Sequence, residues 1–114
     1  MGKVIVLGLC ALLVTPAQAN GLGTGRITGW APSTSGGNPE FVVLSVETIT
    51  GTPPCNTTAR FSISSTDPKY KTVVAGIIAA FHAGTPVRVF GLGTCNVWSN
   101  AEDVTYICFG NVAC

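Results

Sequence analysis

Asn96-Val97-Trp98-Ser99-Asn100-Ala101-Glu102 is the stretch of this sequence whose side chains are best suited to hold a ligand. Trp98 can stack on an apolar face, and Asn96, Ser99, Asn100 and Glu102 can exchange hydrogen bonds. Uncharged sugars are recognised by that combination. A competing use of Trp98 is to cover a disulfide at Cys95. Catalytic groups are scarce. His82 is the one histidine, and no G-x-S-x-G or H-E-x-x-H motif occurs. Glu102 and Asp103 are adjacent, and on a strand or loop neighbouring acids point apart instead of converging on one glycosidic bond. Gly91-Leu92-Gly93 has no third glycine and no following helix, so it reads as a turn. Asn56-Thr57-Thr58 fits the N-glycosylation triplet, which matters only in a eukaryotic secretory route. The expectation is a binding protein with no catalytic residues, no cofactor and no metal.

The cysteines must be read together with the N-terminus. Lys3 is followed by an apolar run from Val4 to Val14, then Thr15-Pro16 and the small-x-small sequence Ala17-Gln18-Ala19. This is the pattern of a cleavable signal peptide over residues 1–19, with the mature domain at 20–114. The run is too short to span a bilayer, which takes about 20 residues, so membrane insertion is not expected. Loss of Lys3 leaves five basic and five acidic residues, a formally neutral domain. That balance argues against nucleic acid as a partner. Loss of Cys10 leaves Cys55, Cys95, Cys108 and Cys114, an even number in a short exported chain, read as two disulfides with three possible connectivities. Gly110-Asn111 can turn the chain between Cys108 and Cys114, so these pair, and Cys55 pairs with Cys95. The expected location is secreted or periplasmic, in a bacterium.

Strands expected at Arg26–Trp30, Phe41–Ile49 and Ala59–Ser64 come first, after a loose glycine-rich segment Asn20–Gly25. Tyr70, Val73, Val74, Ile77, Ile78 and Phe81 then recur at helical spacing, between Asp67-Pro68 and Gly84. The opposite helix face, with Thr72, Gly76, Ala79, Ala80 and Ala83, is small enough to admit a second helix from another subunit. A mid-helix glycine costs about 1 kcal/mol relative to alanine, so Gly76 needs a structural reason. Strands at Val87–Phe90 and Val104–Phe109 complete the chain. The fold class expected from this order is mainly β (α+β): a five-stranded OB-type barrel with one helix between strands 3 and 4. A ferredoxin-like fold or mixed α+β sandwich is the alternative.

Gly84-Thr85-Pro86-Val87-Arg88-Val89-Phe90 after the helix, and the closing Cys108-Phe109-Gly110 to Cys114, resemble the B subunits of subtilase cytotoxin and of typhoid- and pertussis-type toxins. The resemblance implies an OB-fold homopentamer with helices around a central channel. It also implies binding of host glycans ending in sialic acid and docking of a separate A subunit. Under that resemblance the N-terminal sugar contact falls at Thr24, while Gly91 stands where the family places a sugar-contacting aromatic. The expected glycan-binding residues are thus Thr24, Asn96, Trp98 and Asn100. The other functional expectation is a secreted or periplasmic interaction protein, an inhibitor or envelope accessory factor, that uses an OB-type face for a protein ligand.

Overall fold

A computed structural model describes Gly2, residues 20–34 and residues 36–114. Apart from Gly2, the expected signal peptide lies outside the described residues. The elements run β1 (Leu22–Ser33), β2 (Phe41–Thr50), β3 (Phe61–Ser64), α1 (Tyr70–Ala83), β4 (Pro86–Gly91) and β5 (Glu102–Phe109). Alternation decides the strand faces. Val42, Leu44 and Val46 of β2 and Val87 and Val89 of β4 point inward, with Ser45, Arg88 and Phe90 between them only half-buried. The inward set, with Ile27, Phe61, Ile63, Val104 and Ile107, forms one core.

The strands form a mixed sheet in the order β1-β2-β3-β5-β4, and β4 pairs back onto β1, so the sheet closes on itself. All pairings are antiparallel except β3 with β5, which share only two parallel pairs, Phe61–Glu102 and Ser62–Asp103. The expected OB-type barrel is corrected to this plainer description, a mixed five-stranded sheet with one helix. An order of three strands, helix and two strands does not set the tilt and stagger that define a barrel class. Here the β3–β5 seam is too short to define them either.

The glycine-rich start is not loose, and this too is a correction. β1 begins at Leu22, which pairs with Thr50 on one side and Phe90 on the other. A Cβ at Gly23 would meet Phe61 Cε2 at 2.7 Å and Val46 Cγ2 at 2.8 Å, so only glycine lets β1 lie this close to the core. Gly25, at φ 101°, sits where the β1–β2 register shifts.

α1 lies against β1 and β5. Before it, Asp67 accepts a hydrogen bond from the Lys69 amide at 2.8 Å and pairs with the Lys69 ammonium at 3.1 Å. Burial raises the Asp67 pKa, but the Lys69 amide and ammonium outweigh burial and hold it below the usual aspartate value. Gly84 ends the helix in the left-handed conformation at φ 67°, and the Thr85 amide donates to the Ala80 carbonyl. The buried stripe is Val73, Ile77 and Ala80, whereas Ile78 and Phe81 are left more than a third exposed. Phe109 explains the rotation. A Cβ at Gly76 would meet its ring at 2.5 Å, so the ring seats on bare backbone and draws the small-residue face toward the core. The structural reason for Gly76 is therefore found within this chain. Of the face expected to receive a second subunit, Ala80 is buried and Gly76 half-buried, while Thr72, Ala79 and Ala83 are exposed.

Candidate functional site

The structure bonds Cys55 to Cys95 and Cys108 to Cys114. The first bond pins the loop after β4, residues 92–101, to the segment between β2 and β3. Asp103 holds the same loop from below. Its carboxylate accepts from the Thr94 hydroxyl at 2.6 Å, the Asn96 amide at 3.0 and 2.9 Å and the Val97 amide at 2.9 Å. Its own amide donates to the Thr94 carbonyl at 2.8 Å. Hydrogen bonds to a carboxylate in a buried setting are stronger than those between neutral groups, so one side chain fixes three positions of the loop, Thr94, Asn96 and Val97.

Of the sugar-binding residues expected from sequence, three sit on this loop in different roles. Asn96 lines a cleft of about 290 Å³ together with Asn38, Pro39, Phe41, Ser64, Thr66 and Val97. Trp98 is half-buried and stacks on Phe41, with ring centroids 5.1 Å apart. Asn100 is a brace: its Oδ1 accepts from the Arg60 guanidinium at 2.8 Å and its carbonyl from the Thr58 hydroxyl at 2.6 Å. Thr24 is elsewhere. It pairs with Thr48 and Arg88 and lines a separate cleft of about 410 Å³ with Gly25, Pro86, Val87, Arg88, Gly110 and Asn111.

The cleft beside Asn96 is uncharged, with amide and hydroxyl groups facing apolar surface from Pro39, Phe41 and Val97. Within it the Ser64 and Thr66 hydroxyls lie 2.9 Å apart, and Ser64 Oγ accepts from the Thr66 amide at 3.2 Å. Sequence reasoning missed Asn38, Ser64 and Thr66, because it is the sheet that brings the segment before β2 and the end of β3 beside a loop far along the chain. It also missed the anchoring role of Asp103, whose only sequence signal was its position beside Glu102. Asn56, the acceptor of the glycosylation triplet, is buried and its Oδ1 accepts from the Arg60 amide at 3.2 Å, so it is not presented for modification.

The two adjacent acids do point apart. Glu102 is fully buried, and its Oε2 accepts from the amides of Gly21 at 2.8 Å and Gly93 at 3.0 Å. A second surface lies on the outer side of the sheet, where Leu22, Phe90 and Tyr106 occupy one cross-strand row. Phe90 and Tyr106 stack at 4.4 Å, and Leu22 and Tyr106 are each over a third exposed. Among the described residues no group of three or more His, Cys, Asp and Glu side chains could hold a metal ion, and no helix is long and apolar enough to cross a membrane.

No family model, no curated protein and no solved structure matches this chain. The resemblance to toxin B subunits is therefore withdrawn: a match spread over short apolar strands and two glycine-bounded segments is met by many unrelated chains. The OB-fold class, the homopentamer and the toxin assembly that it implied are withdrawn with it.

Proposed function

We propose that this protein is an exported, non-catalytic binding module that recognises an uncharged saccharide in the cleft beside Asn96. The observation that carries the reading is the pairing of an uncharged, amide- and hydroxyl-lined cleft with a loop that is already locked. A ligand that meets Asn96 and Val97 finds them fixed by Asp103 and the Cys55–Cys95 bond, so little ordering entropy is lost on binding. The neutral charge of residues 20–114 fits a ligand recognised without long-range attraction. Pro39 and Val97 supply apolar surface against which a sugar ring can lie, and Asn38, Ser64, Thr66 and Asn96 supply donors and acceptors. Export rests on the N-terminal pattern, which also accounts for two disulfides in so small a domain.

The test is a glycan array probed with the disulfide-intact exported protein, alongside Asn96→Ala and Ser64→Ala. Binding to neutral glycans that falls at least tenfold in either variant supports the reading. A folded protein that binds no neutral glycan overturns it. The exposed row of Leu22, Phe90 and Tyr106 favours a second reading, a secreted interaction protein with an apolar docking row. That reading predicts a saturable protein partner lost on Tyr106→Ser and indifferent to Asn96→Ala.

A further inference from the structure

Glu102 is a fully buried carboxylate with half of its hydrogen-bonding capacity unused. Both backbone donors, Gly21 and Gly93, go to Oε2, and Oε1 has no partner among the described residues. The cradle around it is bare backbone. A Cβ at Gly21 would come within 2.2 Å of Oε1, and one at Gly91 within 1.9 Å of Oε2, so any larger residue at either position would displace the carboxylate. Leaving a buried acid partly unpaired is costly, and a cation close by is the usual remedy.

We propose that hydrolysis of the Ala19–Asn20 bond creates that cation, and that the new α-ammonium of Asn20 binds the Glu102 carboxylate. The proposal rests on the export reading above. Water adds across the peptide bond, Ala19 keeps the carboxylate, and the Asn20 nitrogen leaves as an ammonium. In the uncut chain this nitrogen is a neutral amide with one N–H. After cleavage it has three donors and a positive charge, and it sits one residue before the Gly21 amide that already touches Glu102. Successive backbone nitrogens are at most about 3.7 Å apart, so rotation about Asn20 alone can bring the ammonium to the carboxylate. The Asn20 backbone is already placed at this end of the sheet, its carbonyl oxygen 3.2 Å from the position a Cβ would take on Gly51. The mature N-terminus thus has a receptor within its own fold, and processing completes the buried end of β5.

The experiment uses the exported protein with its disulfides intact. Its intact mass is measured, and its amines are reacted with an acylating reagent at pH 7, in native buffer and in urea, with the rate at each site read by peptide mass spectrometry. A chain starting at Asn20 whose α-amine reacts at least tenfold more slowly native than in urea, while Lys71 changes little, supports the site. Glu102→Gln should abolish that protection, and if this variant does not fold, the native-to-urea comparison on the wild type decides alone. A chain starting at Asn20 with an unprotected α-amine overturns the ammonium site and leaves export standing. A chain starting at any other residue overturns the site, and one that retains residues 1–19 overturns the export reading as well.

Discussion

The two disulfides close very different loops. Cys55–Cys95 joins segments 40 residues apart, where side-chain hydrogen bonds of Asp103, Asn100, Thr58 and Arg60 brace the same end. Cys108–Cys114 spans 6 residues at an exposed terminus, held by the Arg88 guanidinium, which donates to the carbonyls of Gly110 and Val112. Only the first has a cleft of polar, uncharged side chains beside a loop that it helps to hold. One disulfide holds the loop beside a polar, uncharged cleft, and the other holds the segment after β5.

The largest effect should come from the long bridge. Cys55→Ala with Cys95→Ala reopens a loop of about 40 residues, worth about 4 kcal/mol on the chain-entropy model, against about 2 kcal/mol for Cys108→Ala with Cys114→Ala. Urea unfolding of the two pairs measures the difference, and equal losses would break the contrast. Asp103→Ala comes next. It strands the Asn96 and Val97 amides and should cost about 3 kcal/mol. If the carboxylate positions the cleft, glycan binding also fails under conditions where the variant is still folded. Trp98→Ala removes a half-buried ring stacked on Phe41 and should cost about 2 kcal/mol. If Trp98 serves mainly to seat Phe41, binding weakens without being abolished. Gly76→Ala is expected to be near neutral in thermal unfolding. The gain of about 1 kcal/mol normal for an exposed mid-helix glycine is cancelled by displacing the Phe109 ring. A full gain would show that Phe109 does not need the glycine. The smallest effect concerns pH. Because the folded-state pKa of Asp67 is lowered, its contribution is present above the ordinary aspartate value of about 3.9 and lost as pH falls through the lower folded value. Asp67→Asn should flatten the acid limb of stability measured from pH 5 to 2.

What was legible in the sequence was local. Gly110-Asn111 between two cysteines identifies a short bridge, the remaining two cysteines then have each other, and Gly84 followed by Pro86 ends a helix without reference to the rest of the chain. Non-local geometry was illegible. Gly21, Gly23 and Gly91 look like linker residues until Glu102 and Phe61 are placed against them. Gly76 looks like a place for a second chain until Phe109 fills it. The apolar run Tyr70 to Phe81 marks the helix but not its orientation, because the buried stripe is set by what β5 brings to the other side. Thr24 was assigned to a site with Asn96 and Trp98 through a family resemblance, and the register of β1 places it in a different cleft. That Asn96 lines one cleft with Ser64 depends on Asp103, which no spacing rule identifies.

The most direct test of the account is a residue-resolved NMR titration of the disulfide-intact domain with neutral oligosaccharides. Saturable amide shifts confined to Asn38, Ser64, Thr66, Asn96 and Val97 are the predicted result. Shifts centred instead on Leu22, Phe90 and Tyr106, or no saturable shift with any neutral sugar, would contradict it.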